Sequence, residues 1–303
     1  MRRAIPDKIA DWDVDGLAKR ALDGPGGVND IVKLLRSDAS SDKIRALTAL
    51  LAIVGKSNWK TRKRVLENSL DDILIAVESK DPRVSKKALE VLAALLKNNP
   101  LGDRETSKVI ATLLRRARRP NGTLWEGLML TASTVRIPYV SDESTKLLTN
   151  ALRSGAPEEA AVASIILLNS GAVTRDEWGR LVERISELLG SGDPLLVEAG
   201  LRAVDLLAKL PPVFPMDVAV KTLMPTLRKL IASSKDQLFK MRAIESFDRI
   251  KDTVVRYYRV RPEEARKTAG ELLSLGLIEE AYMISSAAGF LPGIGLTPGN
   301  NGL

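Results

Sequence analysis

The feature that most constrains this chain is a spacing. Six segments open on an Asp, Pro, Ser or Gly turn and run into an amphipathic helix: SDKIRALTALLAI, DPRVSKKALEVLAAL, NGTLWEGLMLTAST, PEEAAVASIILL, DPLLVEAGLRAVDLL and DQLFKMRAIESFDRI. Aligned on Ile44, Val84, Leu124, Ala160, Leu196 and Phe239, they recur after 40, 40, 36, 36 and 43 residues. Four positions later stand Thr48, Ala88, Leu128, Ser164, Gly200 and Ala243. All but Leu128 are small, as a close helix–helix contact requires, and Gly127 offers clearance in its place. Each segment is preceded by another helical pattern, such as RKRVLENSLDDILIAVES or RDEWGRLVERISELLG. A helix pair repeated at this period cannot bury its apolar face alone, so neighbouring pairs must stack to make the core.

No convincing period-2 strand interrupts the helical pattern, so the chain reads as all-α. DPRVSKKALEVL and DPLLVEAGLRAV carry an Asp-Pro turn, a Val or Leu, and a small residue about four positions on. In this the chain resembles the HEAT and armadillo families of α-solenoid repeats, over roughly residues 26 to 252. The resemblance implies a right-handed α-α superhelix of about six to seven helix pairs. The expected layout is an N-terminal segment or cap at 1–25, a solenoid at 26–290 closed by PEEARKTAGELLSLG and LIEEAYMISSAAGF, and a flexible tail at 291–303.

Composition removes much chemistry. The chain has no cysteine and no histidine, which excludes disulfides, thiolate or imidazole metal ligands, and Ser-His or Cys-His catalysis. A single glutamine, Gln237, beside 28% charged residues points to a heat-loving source. The longest apolar run, AAVASIILL, is far short of the roughly 20 residues that span a bilayer, and MRRAIPDKIADWD has no apolar stretch of an export signal. No membrane contact and a cytoplasmic location are expected.

Candidate catalytic residues do not assemble. DWDVDG (Asp11 to Gly16) begins like a calcium loop, but Leu22 stands where the bidentate glutamate belongs and Lys19 where another oxygen is wanted, so Asp13 or Asp15 reads as a helix cap and no metal is expected. Glu158, Glu159, Glu263 and Glu264 each follow a proline in a first helical turn, where acid suits the dipole. Trp125 with Glu126, and Trp178 with Glu177, prompt comparison with the HEAT-like alkylpurine DNA glycosylases, which use tryptophans and a carboxylate in a basic groove. Trp178 lies among acidic or mixed residues, that family's active-site set does not map onto this chain, and both tryptophans read as packing. No cofactor is expected.

Charge is distributed unevenly. The net +8 resolves into +9 for residues 1–137, −4 for 138–214 and +3 for 215–303. In a stack of pairs the turns from first to second helix share one edge. That edge would carry Arg36, Lys43, Arg45, Lys80, Arg83, Lys86, Lys87, Arg115, Arg116, Arg118 and Arg119, diluted by Asp38, Asp42, Glu78 and Asp81. With pairs about 10 Å apart this polyanion-binding ridge would be about 20 Å long. A second cluster, Lys60, Arg62, Lys63 and Arg64, opens its helix on the opposite edge, where cations oppose the helix dipole. RYYRVR (Arg256 to Arg261) would add a distant contact.

The sequence favours a non-enzymatic protein-interaction scaffold that contacts another protein through exposed second-helix positions, among them Lys86, Glu90, Glu198, Arg202, Lys240 and Arg242. The alternative is a solenoid that grips the backbone of duplex nucleic acid with its basic edge. A glycosylase is a third and weaker reading.

Overall fold

The computed structural model describes residues 25–97, 101–118, 122–138, 142–211 and 214–290, together with Val14, Gly16, Ala18 and Lys19. The tail 291–303, the caps Asp13 and Asp15, Arg119 and nearly all of the N-terminal segment lie outside the described residues.

Among the described residues there is helix and no strand. The chain divides into two compact units, Met1–Ala172 and Val173–Leu303. The first holds four pairs: α1 (Pro25–Leu35) with α2 (Ser40–Lys56), α3 (Trp59–Val77) with α4 (Pro82–Leu96), α5 (Asp103–Ala117) with α6 (Gly122–Ala132), and α7 (Asp142–Ser154) with α8 (Pro157–Ser170). The second holds α9 (Trp178–Leu189) with α10 (Pro194–Leu207), α11 (Met224–Ser233) with α12 (Gln237–Arg259), and α13 (Pro262–Ser274) with α14 (Ile278–Ala287). Each pair anticipated from the spacing is present.

Local chemistry starts these helices where the sequence places them. The carboxylates of Asp81, Asp193 and Asp236 accept hydrogen bonds from backbone N–H groups two residues on, at 2.9, 2.8 and 2.8 Å. Pro82 and Pro194 then occupy first-turn positions that need no donor. Asn58 caps α3 by accepting from the Thr61 N–H at 3.0 Å. At α8, Glu159 reaches back to the Ala156 N–H at 3.0 Å, and Gly171 ends the helix in the left-handed region at φ 63°.

Two layers result in the first unit. α1, α3, α5 and α7 pack in sequence, as do α2, α4, α6 and α8, with α5 also touching α8. In the second unit α10 packs on α9, and α12 lies against α10, α11 and α14. The aligned residues Val84, Leu124, Ala160 and Leu196 are buried, as are Ala88, Ser164, Gly200 and Ala243 four places on. The exception at Leu128 resolves as expected: a Cβ on Gly127 would sit 3.3 Å from Leu89 Cδ1 of α4, so Gly127 is the close approach between α4 and α6. α11 follows a π-helical turn at Ala219–Leu223. Pro225 supplies the reason, because it lacks an N–H and its ring crowds the carbonyl four residues back, which a wider turn relieves.

At Gly200 a Cβ would lie 3.0 Å from Leu189 Cγ and 3.2 Å from the Leu189 backbone nitrogen. Gly200→Ala is expected to destabilise by about 1–3 kcal/mol, since overpacking against a neighbouring backbone cannot be relieved by a rotamer. Gly270→Ala in α13, where an added Cβ meets nothing within 4 Å, is expected to stabilise by about 0.5–1 kcal/mol. Urea denaturation of the two variants distinguishes the packing requirement from helix propensity.

Candidate interaction surface

Among the described residues, several cations of the expected ridge are occupied. Arg36 at the end of α1 donates to both oxygens of Asp72 in α3, at 2.8 and 3.0 Å. Arg115 at the end of α5 donates to Glu78 at 2.6 Å, and Lys108 of α5 to Asp71 at 2.7 Å. Arg118 donates at 2.8 Å to Glu159, a carboxylate that is itself buried. These partners stand 36, 37, 37 and 41 residues apart, so they are bridges from one repeat to the next. Because the ends of α1 and α5 both meet the C-terminal half of α3 or the residue just beyond it, the first helices run parallel.

Other ridge residues also have partners. Arg83 pairs with Asp81 at 3.0 Å and Lys87 with Glu90 at 2.7 Å, while Arg116 donates to Ser85 at 3.2 Å. Arg45 is half-buried. Among the described residues Lys43, Lys80 and Lys86 engage no carboxylate. These pairings shift the ionisable groups involved: Asp72 holds the Arg36 guanidinium above its usual range, and hydrogen bonds from Arg83 pull Asp81 down to about 2.

The opposite-edge cluster is less consumed. Lys60 and Arg64 are exposed and Arg62 half-buried; Lys63 lies 3.8 Å from Glu67. Trp59, exposed beside Lys60, was not singled out from sequence because helical spacing alone does not show which way a first-turn residue faces.

In the second unit the structure brings Glu198 of α10 and Arg242 of α12 together at 3.4 Å. Asp205 binds Arg249 at 2.9 Å and accepts from the Ser246 hydroxyl at 2.9 Å, extending the polar seam between α10 and α12. Arg202 and Lys240 are half-buried beside it. Next to the seam α12 exposes three large apolar side chains, Leu238 at 76%, Met241 at 59% and Ile244 at 40%. Sequence reasoning missed them. The signal was available, since 238, 239, 241, 243, 244, 247 and 250 form an apolar stripe too wide for a helix with one buried face.

The residues that suggested a glycosylase are not gathered on one exposed surface. Trp125 and Trp178 are buried, the latter 5.8 Å from the Phe214 ring. Glu177 is buried and Glu126 exposed. RYYRVR is the corner between α12 and α13: Tyr258 is buried with its hydroxyl 3.2 Å from Thr268, burial pushes its pKa to about 12, and Arg261 stacks 4.1 Å over the Tyr257 ring. No group of His, Cys, Asp and Glu fit to hold a metal occurs among the described residues, and no helix among them is long and apolar enough to cross a membrane.

The crystal structure of an archaeal HEAT-like repeats protein from Thermococcus onnurineus NA1 superposes with a TM-score of 0.65 at 19% identity, over 82% of this chain and 97% of that one. The fold is HEAT-like. A designed armadillo repeat protein matches at TM-score 0.42 and 14% identity, over 73% of this chain and 98% of its own. An engineered protein, target OR497, matches at 0.47 and 20%, over 91% and 73%. No protein-family model and no curated protein matches the sequence.

Two measurements probe the HEAT-like unit's charge bridges. A double-mutant cycle on Arg115 and Glu78, both exposed, is expected to give a coupling below about 1 kcal/mol. The same cycle on Arg118 and buried Glu159 should give a larger value, about 1–3 kcal/mol, because removing the arginine strands a desolvated carboxylate. Asp81, depressed to about 2 when folded, contributes stability that is present above its ordinary value near 3.8 and lost as pH falls towards 2. Denaturation between pH 5 and pH 2 should therefore show the wild type losing its advantage over Asp81→Asn across that window.

Proposed function

We propose that this chain is a non-enzymatic protein-interaction scaffold and that its second helices carry the contact surface. The reading rests chiefly on the exposed stripe Leu238, Met241 and Ile244 of α12, bordered by the ionic seam of Glu198, Arg242, Asp205 and Arg249. Large apolar side chains left in water beside fixed charges are the composition of a contact surface, with the apolar part supplying affinity and the charges supplying register. Arg202 and Lys240 extend that polar border, and Lys86 and Glu90 occupy the corresponding face of α4 in the first unit.

Binding of a duplex backbone is the second reading. It draws support from Lys43, Lys80 and Lys86, and from Lys60, Arg62, Lys63 and Arg64 beside exposed Trp59. The bridges at Arg36, Arg115 and Arg118 count against it, because a cation already neutralised by a carboxylate releases fewer counterions from a phosphate.

Capture from the native host with wild type and with Leu238→Glu/Met241→Glu separates the readings. The scaffold reading expects one or a few proteins retained by wild type and lost by the variant at unchanged helicity; equal retention by both sinks the α12 surface. Duplex DNA titrated over a salt series tests the alternative, which requires a log–log slope near 0.9 per phosphate contacted. Absence of binding at low salt removes it.

A further inference from the structure

Several basic residues of the first unit are spent on bridges, and one groove in the second unit keeps its charge. It lies where the turn after α10 meets the last turns of α12 and encloses about 550 Å³. Three cations line it, Lys209, Arg256 and Arg261, and the apolar side chains of Leu210, Tyr257 and Val260 form its walls. No acidic side chain lines it. Val260 is 70% exposed, so part of that wall is left in water.

Arg256 and Arg261 are held mainly by neutral groups. Arg256 donates to the Asp252 carbonyl at 3.2 Å and to Thr253 Oγ1 at 3.4 Å. Arg261 donates to the Tyr257 carbonyl at 3.2 Å and stacks on the Tyr257 ring; its nearest carboxylate, Glu264, is 3.8 Å away and also accepts from the Tyr257 hydroxyl. Among the described residues no carboxylate pairs with Lys209 or Arg256.

We infer that this groove binds a short acidic peptide segment, seating carboxylates on Lys209, Arg256 and Arg261 and an adjacent aliphatic side chain on Leu210 and Val260. Charge complementarity selects an anion, and the apolar wall selects a polypeptide over a phosphate backbone, which has nothing to place there. Base stacking on Tyr257 is restricted, since Arg261 already covers one face of the ring. The inference rests on the scaffold reading only in taking a polypeptide as ligand, and it uses a surface separate from the α12 stripe.

Fluorescence anisotropy of the full chain with a labelled hexapeptide of alternating glutamate and leucine tests it. The expected result is saturable binding that weakens with salt, at least tenfold weaker binding of the glutamine–leucine peptide, and at least tenfold loss in Lys209→Ala/Arg256→Ala. Both residues are exposed, and an unchanged thermal midpoint in the variant shows that folding is intact. Lys209→Glu/Arg256→Glu should reverse the preference towards a lysine–leucine peptide. Leu238→Glu/Met241→Glu should bind the acidic peptide as wild type does, which keeps failure of the groove distinct from failure of the α12 surface. Equal binding of the glutamate and glutamine peptides, unchanged affinity in the alanine variant, or displacement by a duplex oligonucleotide at lower concentration than by unlabelled peptide would each overturn the inference.

Discussion

Everything in this molecule depends on one packing constraint: the apolar face of a helix pair is covered by neighbouring helices. At the closest approaches the chain has almost no room. Gly127 meets Leu89 of the preceding second helix, and Gly200 meets the backbone of Leu189 in its own pair. Where the contact is looser, alanine and serine suffice, as at Ala88 and Ser164. This is why small residues recur at one position in a segment whose other residues vary freely, and why the period tolerates several residues of drift: loop length changes between pairs while the contact geometry does not.

Polar bonding follows the same period. The Ser107 and Ser144 hydroxyls lie 2.9 Å apart, Asn169 donates to the Ser133 carbonyl at 2.6 Å, and Arg36, Arg115 and Arg118 reach carboxylates one repeat away. Solvent-exposed pairs of this kind add little stability one at a time. Their larger effect is on the surface field, because the pairs Arg115–Glu78 and Arg118–Glu159 each cancel a charge that the run RRARR would otherwise present. A basic cluster in a repeat protein is thus a surplus of charge only after the carboxylates of the adjacent repeats have been counted.

The two surfaces proposed for binding lie elsewhere than the chain's most conspicuous motif. The α12 stripe is apolar and bordered by fixed charges; the groove beyond α10 is cationic with an apolar wall. Both belong to the second unit, whose sequence is far less basic than that of the first.

Much of the architecture was legible in the linear sequence. Asp-Pro turns marked the starts of α4 and α10, the small residue four positions into the aligned motif marked the close contact, and the substitution of Gly127 for a small residue at 128 was readable as clearance. These features are local: a cap, a first-turn proline and a 3.6-residue period act within one helix, so the chain carries them without reference to the rest. The fate of each arginine was another matter. Arg118 is spent because Glu159 lies beside it, and Arg256 is available because no carboxylate does. Such outcomes depend on residues some forty positions apart in the chain and a few ångströms apart in space, and Coulomb interactions respond only to the second distance. The sequence alone determined that this chain is a stack of helix pairs; only the tertiary structure decided which of its charges remain to meet a partner.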